Sequence, residues 1–182
     1  MSSPASPFRI ELLSGVHDRT RFVSGSAPLD RYFREQASQD IKRRITACFV
    51  AVSVGTREIA GFYTLAATNV VLDALSPEIS RKLPRYPVVP AALLGRLAVS
   101  QSLQGKGLGA ALLADALLAD ALLRTARAEL GVFAMLVDAK DEAAQGFYER
   151  HGFTLLPGEA RRLVLPIATA LRAIEPRPPP AA

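Results

Sequence analysis

Cysteine occurs once in the 182 residues, at Cys48, histidine only twice, at His17 and His151, and charged side chains make up just 21%. A single cysteine excludes an intramolecular disulfide framework and a multi-cysteine zinc site. The segment around it, Ile45 to Val52, reads as a strand, so the thiol is expected to be a small buried side chain. His17 is isolated in a loop and His151 precedes Gly152 in a turn, so neither suggests a metal. No stretch of about 18 uninterrupted apolar residues could span a bilayer, and no early apolar run resembles a secretory signal. A cytoplasmic protein without a membrane role is expected. What is abundant is apolar content, 49%, enough to bury one sizeable core in a chain of single-domain length.

The charge that is present is unbalanced. There are 22 Lys and Arg against 17 Asp and Glu, a net +5, with a sequence pI near 9.8. Such a surplus favours an anionic partner such as nucleic acid or an acidic protein. It is concentrated in Arg31, Arg34, Lys42, Arg43 and Arg44, and again in Arg81, Lys82 and Arg85. Each cluster reads equally as a solvated face or as a substrate-binding patch.

Residues 1–7 hold three serines and two prolines, and residues 175–182 include the run Pro178-Pro179-Pro180. Both ends are expected to be frayed or extended, which leaves a folded domain over residues 8–174. A short strand near Phe8 to Leu12 comes first. Leu29, Phe33, Ala37 and Ile41 then share one stripe, predicting a helix over Asp30 to Arg44 with Pro28 in its first turn. Two strands, Thr46 to Val54 and Glu58 to Ala67, follow across the hairpin connection Gly55-Thr56-Arg57. Asp73 to Ser80 suits a short helix that Pro84, Pro87 and Pro90 cannot continue. The apolar run Ala91 to Val99, broken by Gly95 and Arg96, suits a central strand.

After it stands Gln104-Gly105-Lys106-Gly107-Leu108-Gly109, then a leucine-rich helix in which Ala114-Asp115-Ala116-Leu117-Leu118 is repeated as Ala119-Asp120-Ala121-Leu122-Leu123. A five-residue step turns the helix by roughly 140°, so burial over a wide arc is expected, with Gly131 as the stop. Val132 to Val137 reads as a buried parallel strand ending at Asp138. Strand, glycine loop, helix and strand make a βαβ unit with an anion site at the strand's C-terminal edge. Three glycines at alternate positions free the backbone N–H groups to cradle a phosphorylated cofactor.

Three cofactor motifs compete for that loop. The nucleotide P-loop fails, because Lys106 is followed by Gly107 and no hydroxyl stands where magnesium would need it. Gly105, Gly107 and Ala110 satisfy the dinucleotide pattern GxGxxA, with Asp138 as the ribose acid, which would make the chain an NAD(P)-dependent oxidoreductase. The strand-to-glycine loop is longer than that fingerprint wants, and the acid comes late. The third candidate is the pyrophosphate site of acetyltransferases, [Gln/Arg]xxGx[Gly/Ala], met at Gln104, Gly107 and Gly109.

The last pattern is reinforced further along by Ala143-Ala144-Gln145-Gly146-Phe147-Tyr148-Glu149-Arg150-His151-Gly152-Phe153. Together the two segments resemble the GNAT superfamily of N-acetyltransferases, whose later motif reads AxxFYxxxGF. Within it, Phe22-Val23-Ser24-Gly25, Leu29-Asp30-Arg31-Tyr32-Phe33, Gly61-Phe62-Tyr63-Thr64-Leu65, Leu94 to Val99 and Val137 to Lys140 resemble the GNAT toxins of type II toxin-antitoxin systems. Ser24 departs from the cysteine common there.

The resemblance implies a mixed α/β (α+β) fold with a central β-sheet flanked by helices. It implies acetyl-CoA as co-substrate and no metal. Leu97, Ala98 and Val99 would hold the pantetheine arm, and Gln104, Gly105, Lys106, Gly107, Leu108, Gly109 and Ala110 the pyrophosphate, with Asp138 and Ala139 completing the cofactor site. Tyr148 would be the general acid that protonates the CoA thiolate. The acceptor implied is the α-amino group of an aminoacyl-tRNA, with Arg31, Arg34, Lys42, Arg43, Arg44 and Arg85 as candidate tRNA contacts. A small-molecule amine or a protein amino group is the alternative. A homodimer and a ribbon-helix-helix antitoxin are the implied partners.

Overall fold

The computed structural model describes residues 7–104 and 109–174. Its strands are β1 (Phe8–Leu12), β2 (Ala47–Ser53), β3 (Ile59–Val71), β4 (Val88–Val99), β5 (Ala134–Asp138), β6 (Thr154–Leu155) and β7 (Arg162–Pro166). Its helices are α1 (Ala27–Arg31), α2 (Ala37–Lys42), α3 (Pro77–Ser80), α4 (Gly109–Ala126), α5 (Glu142–Arg150) and α6 (Ile167–Ile174), with a π-helical segment, Tyr32–Gln36, between α1 and α2. The strands form one seven-stranded sheet in the order β1-β2-β3-β4-β5-β7-β6. β4 and β5 pair in parallel, from Ala91 opposite Ala134 to Leu94 opposite Val137, which is the expected βαβ unit. Among the described residues no helix is long and apolar enough to cross a membrane.

The chain divides into two compact units, Met1–Ala66 with Gly95–Ala121 and Ala67–Leu94 with Leu122–Ala182. In the first, β1 and β2 pair antiparallel from Phe8 opposite Ser53 to Leu12 opposite Phe49. The β2–β3 ladder slips between Ala51 and Val52, leaving Ala60 outside it. The Ala60 carbonyl instead accepts the N–H of Ser100 at 2.7 Å, so the bulge ties the end of β4 in place. Beneath lies an aromatic core. Phe33 stacks on Phe62 at 4.2 Å, and Phe22 meets both edge-on. Cys48 is fully buried among them, which raises its thiol pKa to about 12.

The helical stripe has an outcome the periodicity did not specify. Leu29, Phe33, Ala37 and Ile41 all face the core, yet a strict four-residue repeat drifts on an α-helix of about 3.6 residues per turn. The wider π turn cancels that drift. The Ala37 N–H therefore reaches Tyr32 O and bypasses the Phe33 carbonyl. Arg19 fills the gap, donating from Nη1 to Phe33 O at 2.7 Å. Arg19→Ala is expected to destabilise the protein by about 1–3 kcal/mol, because a partly buried carbonyl loses its partner. Urea denaturation measures this, and an unchanged midpoint would mean that water replaces the guanidinium.

In the second unit β5 pairs antiparallel with β7, from Ala134 opposite Pro166 to Asp138 opposite Arg162, and β7 pairs with β6. Val89, Ala91, Leu136, Leu156 and Val164 bury together there.

Several expectations need correction. The helix after the glycine loop ends at Ala126 rather than near Gly131, with the Ala128 N–H closing onto Thr125 O. Gly131 does not adopt positive φ, so it caps nothing. The hairpin connection between β2 and β3 does form, and its left-handed residue is Arg57, with φ 59°. β4 begins at Val88 and so includes Pro90, whose carbonyl accepts from Phe133 N–H. His17 is not isolated: its ring lies 2.8 Å from the Glu11 carboxylate and its Nδ1 accepts from Ser14 N–H.

Candidate active site

The site residues expected from the sequence fall in two segments, one in each unit. In the first, β4 runs on from Leu94 through Leu97, Ala98 and Val99 to a turn at Ser100. Ser100 Oγ accepts from Ser102 N–H and closes a short 3₁₀ turn. The Gln104 side chain then donates from Nε2 to Ser24 O at 3.0 Å and to Val99 O at 3.3 Å. The glutamine therefore clamps the loop to the strand end, and its side-chain amide is spent on protein carbonyls. Gly105, Lys106, Gly107 and Leu108 lie outside the described residues. Gly109 and Ala110 open α4, so the glycine run leads into an 18-residue helix N-terminus, where backbone N–H groups and the helix dipole favour an anion.

Ser24 has a structural role. Its hydroxyl and its N–H both donate to Asp30 Oδ1, at 2.6 and 2.8 Å. Asp30 is buried, and these bonds hold its carboxylate in the first turn of α1.

In the second unit Tyr148 lies on α5, whose first turn is capped by Asp141 accepting from Ala144 N–H at 2.8 Å. That backbone bond lowers the Asp141 pKa. Phe147 and Phe153 pack edge-on against the Tyr148 ring at 5.2 and 5.5 Å. Burial alone pushes its phenol up to about 12, so the group stays protonated across the neutral range. His151 bonds from Nδ1 to the Phe147 carbonyl at 2.8 Å, closing the helix end as a structural residue. Asp138 at the end of β5 accepts from Arg162 Nε and Nη2, one oxygen to each, at 2.7 and 2.9 Å. The Ala139 N–H donates to Arg161 O, so that amide is occupied by protein. Glu142 and Glu149 are exposed on α5.

The basic candidates Arg31, Arg34, Lys42, Arg43 and Arg44 are all exposed around the α1 to α2 segment, and Arg85 is exposed in the second unit. Arg34 also donates to Phe22 O at 3.1 Å. Arg96, which interrupts the apolar run of β4, has a partner that the sequence did not indicate. Its guanidinium lies 3.4 Å over the Tyr32 ring. The signal was that it is the only charge between Ala91 and Val99. Among the described residues no set of three or more His, Cys, Asp or Glu could hold a metal.

Comparison with known proteins adds to this geometry. The acetyltransferase (GNAT) domain model matches residues 44–155. A tRNA-acetylating toxin of Mycobacterium tuberculosis is 35% identical over 165 residues, covering 91% of this chain and 93% of that protein. Among solved structures, AtaT complexed with acetyl-methionyl-tRNAfMet superposes with TM-score 0.75 at 29% identity, over 92% of this chain and 99% of that one. AtaTR bound with AcCoA superposes with TM-score 0.74 at 28% identity, over 93% and 99%. A mutant of AtaT bound to the C-terminus of the antitoxin AtaR superposes with TM-score 0.71 at 25% identity, over 92% and 98%.

Proposed function

The chain belongs to the acetyltransferase (GNAT) domain family, and from that premise we propose that it moves the acetyl group of acetyl-CoA to the α-amino group of an aminoacyl-tRNA. The observation that carries this reading is the similarity to a tRNA-acetylating toxin across nine-tenths of the chain. Membership in an acetyltransferase family sets aside the NAD(P) alternative: the glycine run satisfied both patterns, and the acetyltransferase match extends from residue 44 to residue 155. Acylating the amine removes the nucleophile needed for peptide-bond formation, so the product blocks translation.

In this reading the amine nitrogen attacks the thioester carbonyl carbon, the carbon–sulfur bond breaks, and the nitrogen's proton passes to solvent. The departing thiolate takes its proton from the Tyr148 hydroxyl, and solvent returns a proton to the resulting phenolate. Main-chain groups of Leu97, Ala98 and Val99 hold the pantetheine arm, and the amides from Gln104 to Ala110 hold the pyrophosphate, with Asp138 and Ala139 at the neighbouring strand end. Holding donor and acceptor together supplies much of the acceleration. No dedicated base is required, because an α-amine has a pKa of about 7.7–8.0 against about 10.4 for lysine.

Residues 8–174 act as one catalytic domain in this reading, in the cytoplasm, as a homodimer. A ribbon-helix-helix antitoxin neutralises it, by analogy with AtaT bound to the C-terminus of AtaR. Arg31, Arg34, Lys42, Arg43, Arg44 and Arg85 supply exposed positive charge for the tRNA.

The test is incubation with labelled acetyl-CoA and total charged tRNA, with polyamines and peptides in parallel. Label on the aminoacyl end of tRNA is expected; label on polyamine or peptide alone would sink the proposal. The pH dependence gives a second check. The rate should rise as the amine loses its proton near pH 7.7–8.0 and then level off, because the Tyr148 phenol with a pKa of about 12 remains a donor. A fall in rate just above the plateau would contradict that role.

A further inference from the structure

Three features meet on one face of β4 within the first unit. The Arg96 guanidinium is stacked 3.4 Å over the Tyr32 ring, and among the described residues no carboxylate or carbonyl accepts from it. Tyr32 is 4% exposed, and its buried hydroxyl makes no well-formed hydrogen bond, with the Asp40 carboxylate as its polar neighbour. Tyr32 also opens the π turn, an irregularity that recurs at functional sites. A stacked guanidinium is fixed in place, so it loses little freedom on binding, and its in-plane donors are left for a planar or tetrahedral anion. Arg96 is only partly buried, which keeps that fork in reach of solvent.

We infer that Arg96, held flat on Tyr32, binds a phosphodiester near the acylated 3′ end of the tRNA and so positions the acceptor amine. The inference rests on the proposed function. It favours the acceptor's phosphate over the cofactor's because Arg96 precedes Val99, the end of β4, by three residues, or about 10 Å of strand. The pyrophosphate cradle follows only after that end. At the upstream position the acceptor is the phosphate source.

The experiment is steady-state acetylation of charged tRNA by wild type, Arg96→Ala and Arg96→Lys, at several salt concentrations, with acetyl-CoA affinity measured by calorimetry on each. For Arg96→Ala the KM for aminoacyl-tRNA should rise about 10- to 100-fold, and the slope of log affinity against log salt should shrink by about one contact. Acetyl-CoA affinity should hold, which also reports that the variant is folded. Arg96→Lys keeps the charge but loses the fork, and should recover the salt slope while restoring only part of the KM. An unchanged KM and slope in Arg96→Ala would overturn the inference and leave the proposed function standing. Weakened acetyl-CoA binding would overturn it in favour of a cofactor phosphate. Failure of the wild type to acetylate any charged tRNA would remove the acceptor, and the inference falls with the function.

Discussion

Tyr148→Phe should lower turnover by about 10²- to 10⁴-fold while acetyl-CoA binds as before. The substitution removes a single oxygen. The ring contacts with Phe147 and Phe153, at 5.2 and 5.5 Å, survive in phenylalanine, so packing is preserved and only proton donation is lost. The phenol suits that task because burial raises its pKa to about 12: it is protonated when the thiolate leaves. Single-turnover acetylation with saturating acetyl-CoA, beside calorimetric binding, separates the two effects. Unchanged turnover would remove Tyr148 from the mechanism and leave it as a core residue of α5.

Gly61→Ala should cost about 1–3 kcal/mol of stability and also weaken acetyl-CoA binding. A Cβ at Gly61 would come within 2.8 Å of the Ala98 carbonyl oxygen and 2.9 Å of Leu117 Cδ1. Leucine can turn aside, but a backbone carbonyl can yield only if the strand shifts. Ala98 belongs to the strand proposed to hold the pantetheine arm, so the strain would be transmitted to the cofactor. Gly15→Ala is the control, since nothing lies within 4 Å of a Cβ there, and its stability should change by less than about 0.5 kcal/mol. Thermal melts and acetyl-CoA titrations on both variants decide the point. If Gly61→Ala melts and binds like wild type, β4 is more yielding than its packing implies.

How far these residues could be foreseen depended on the kind of pattern that carried them. Local periodicity placed β1 at Phe8–Leu12 without error, because alternation and flanking breakers act over a few residues. It placed the stripe of Leu29, Phe33, Ala37 and Ile41 on the core but not the π turn, which arises where the drift of an α-helix meets a fixed core surface. The end of α4 was misplaced for a similar reason. Gly131 is permissive, but the last helical turn is closed by the Ala128 N–H on Thr125 O, and glycine was not needed for it.

The order of motifs, from Gln104 and the glycine run to Phe147-Tyr148, carried the family resemblance that implied donor and candidate acid, because each motif is a short contiguous pattern legible in the sequence. Only the tertiary structure decided what the long-range partners do. It turned the Gln104 side chain onto the carbonyls of Ser24 and Val99, gave the bypassed Phe33 carbonyl to Arg19, and set Arg96 on Tyr32. The partners in these pairs are up to 80 positions apart. Which of them meet depends on the faces that sheet and helices present to one another, a property no local spacing encodes.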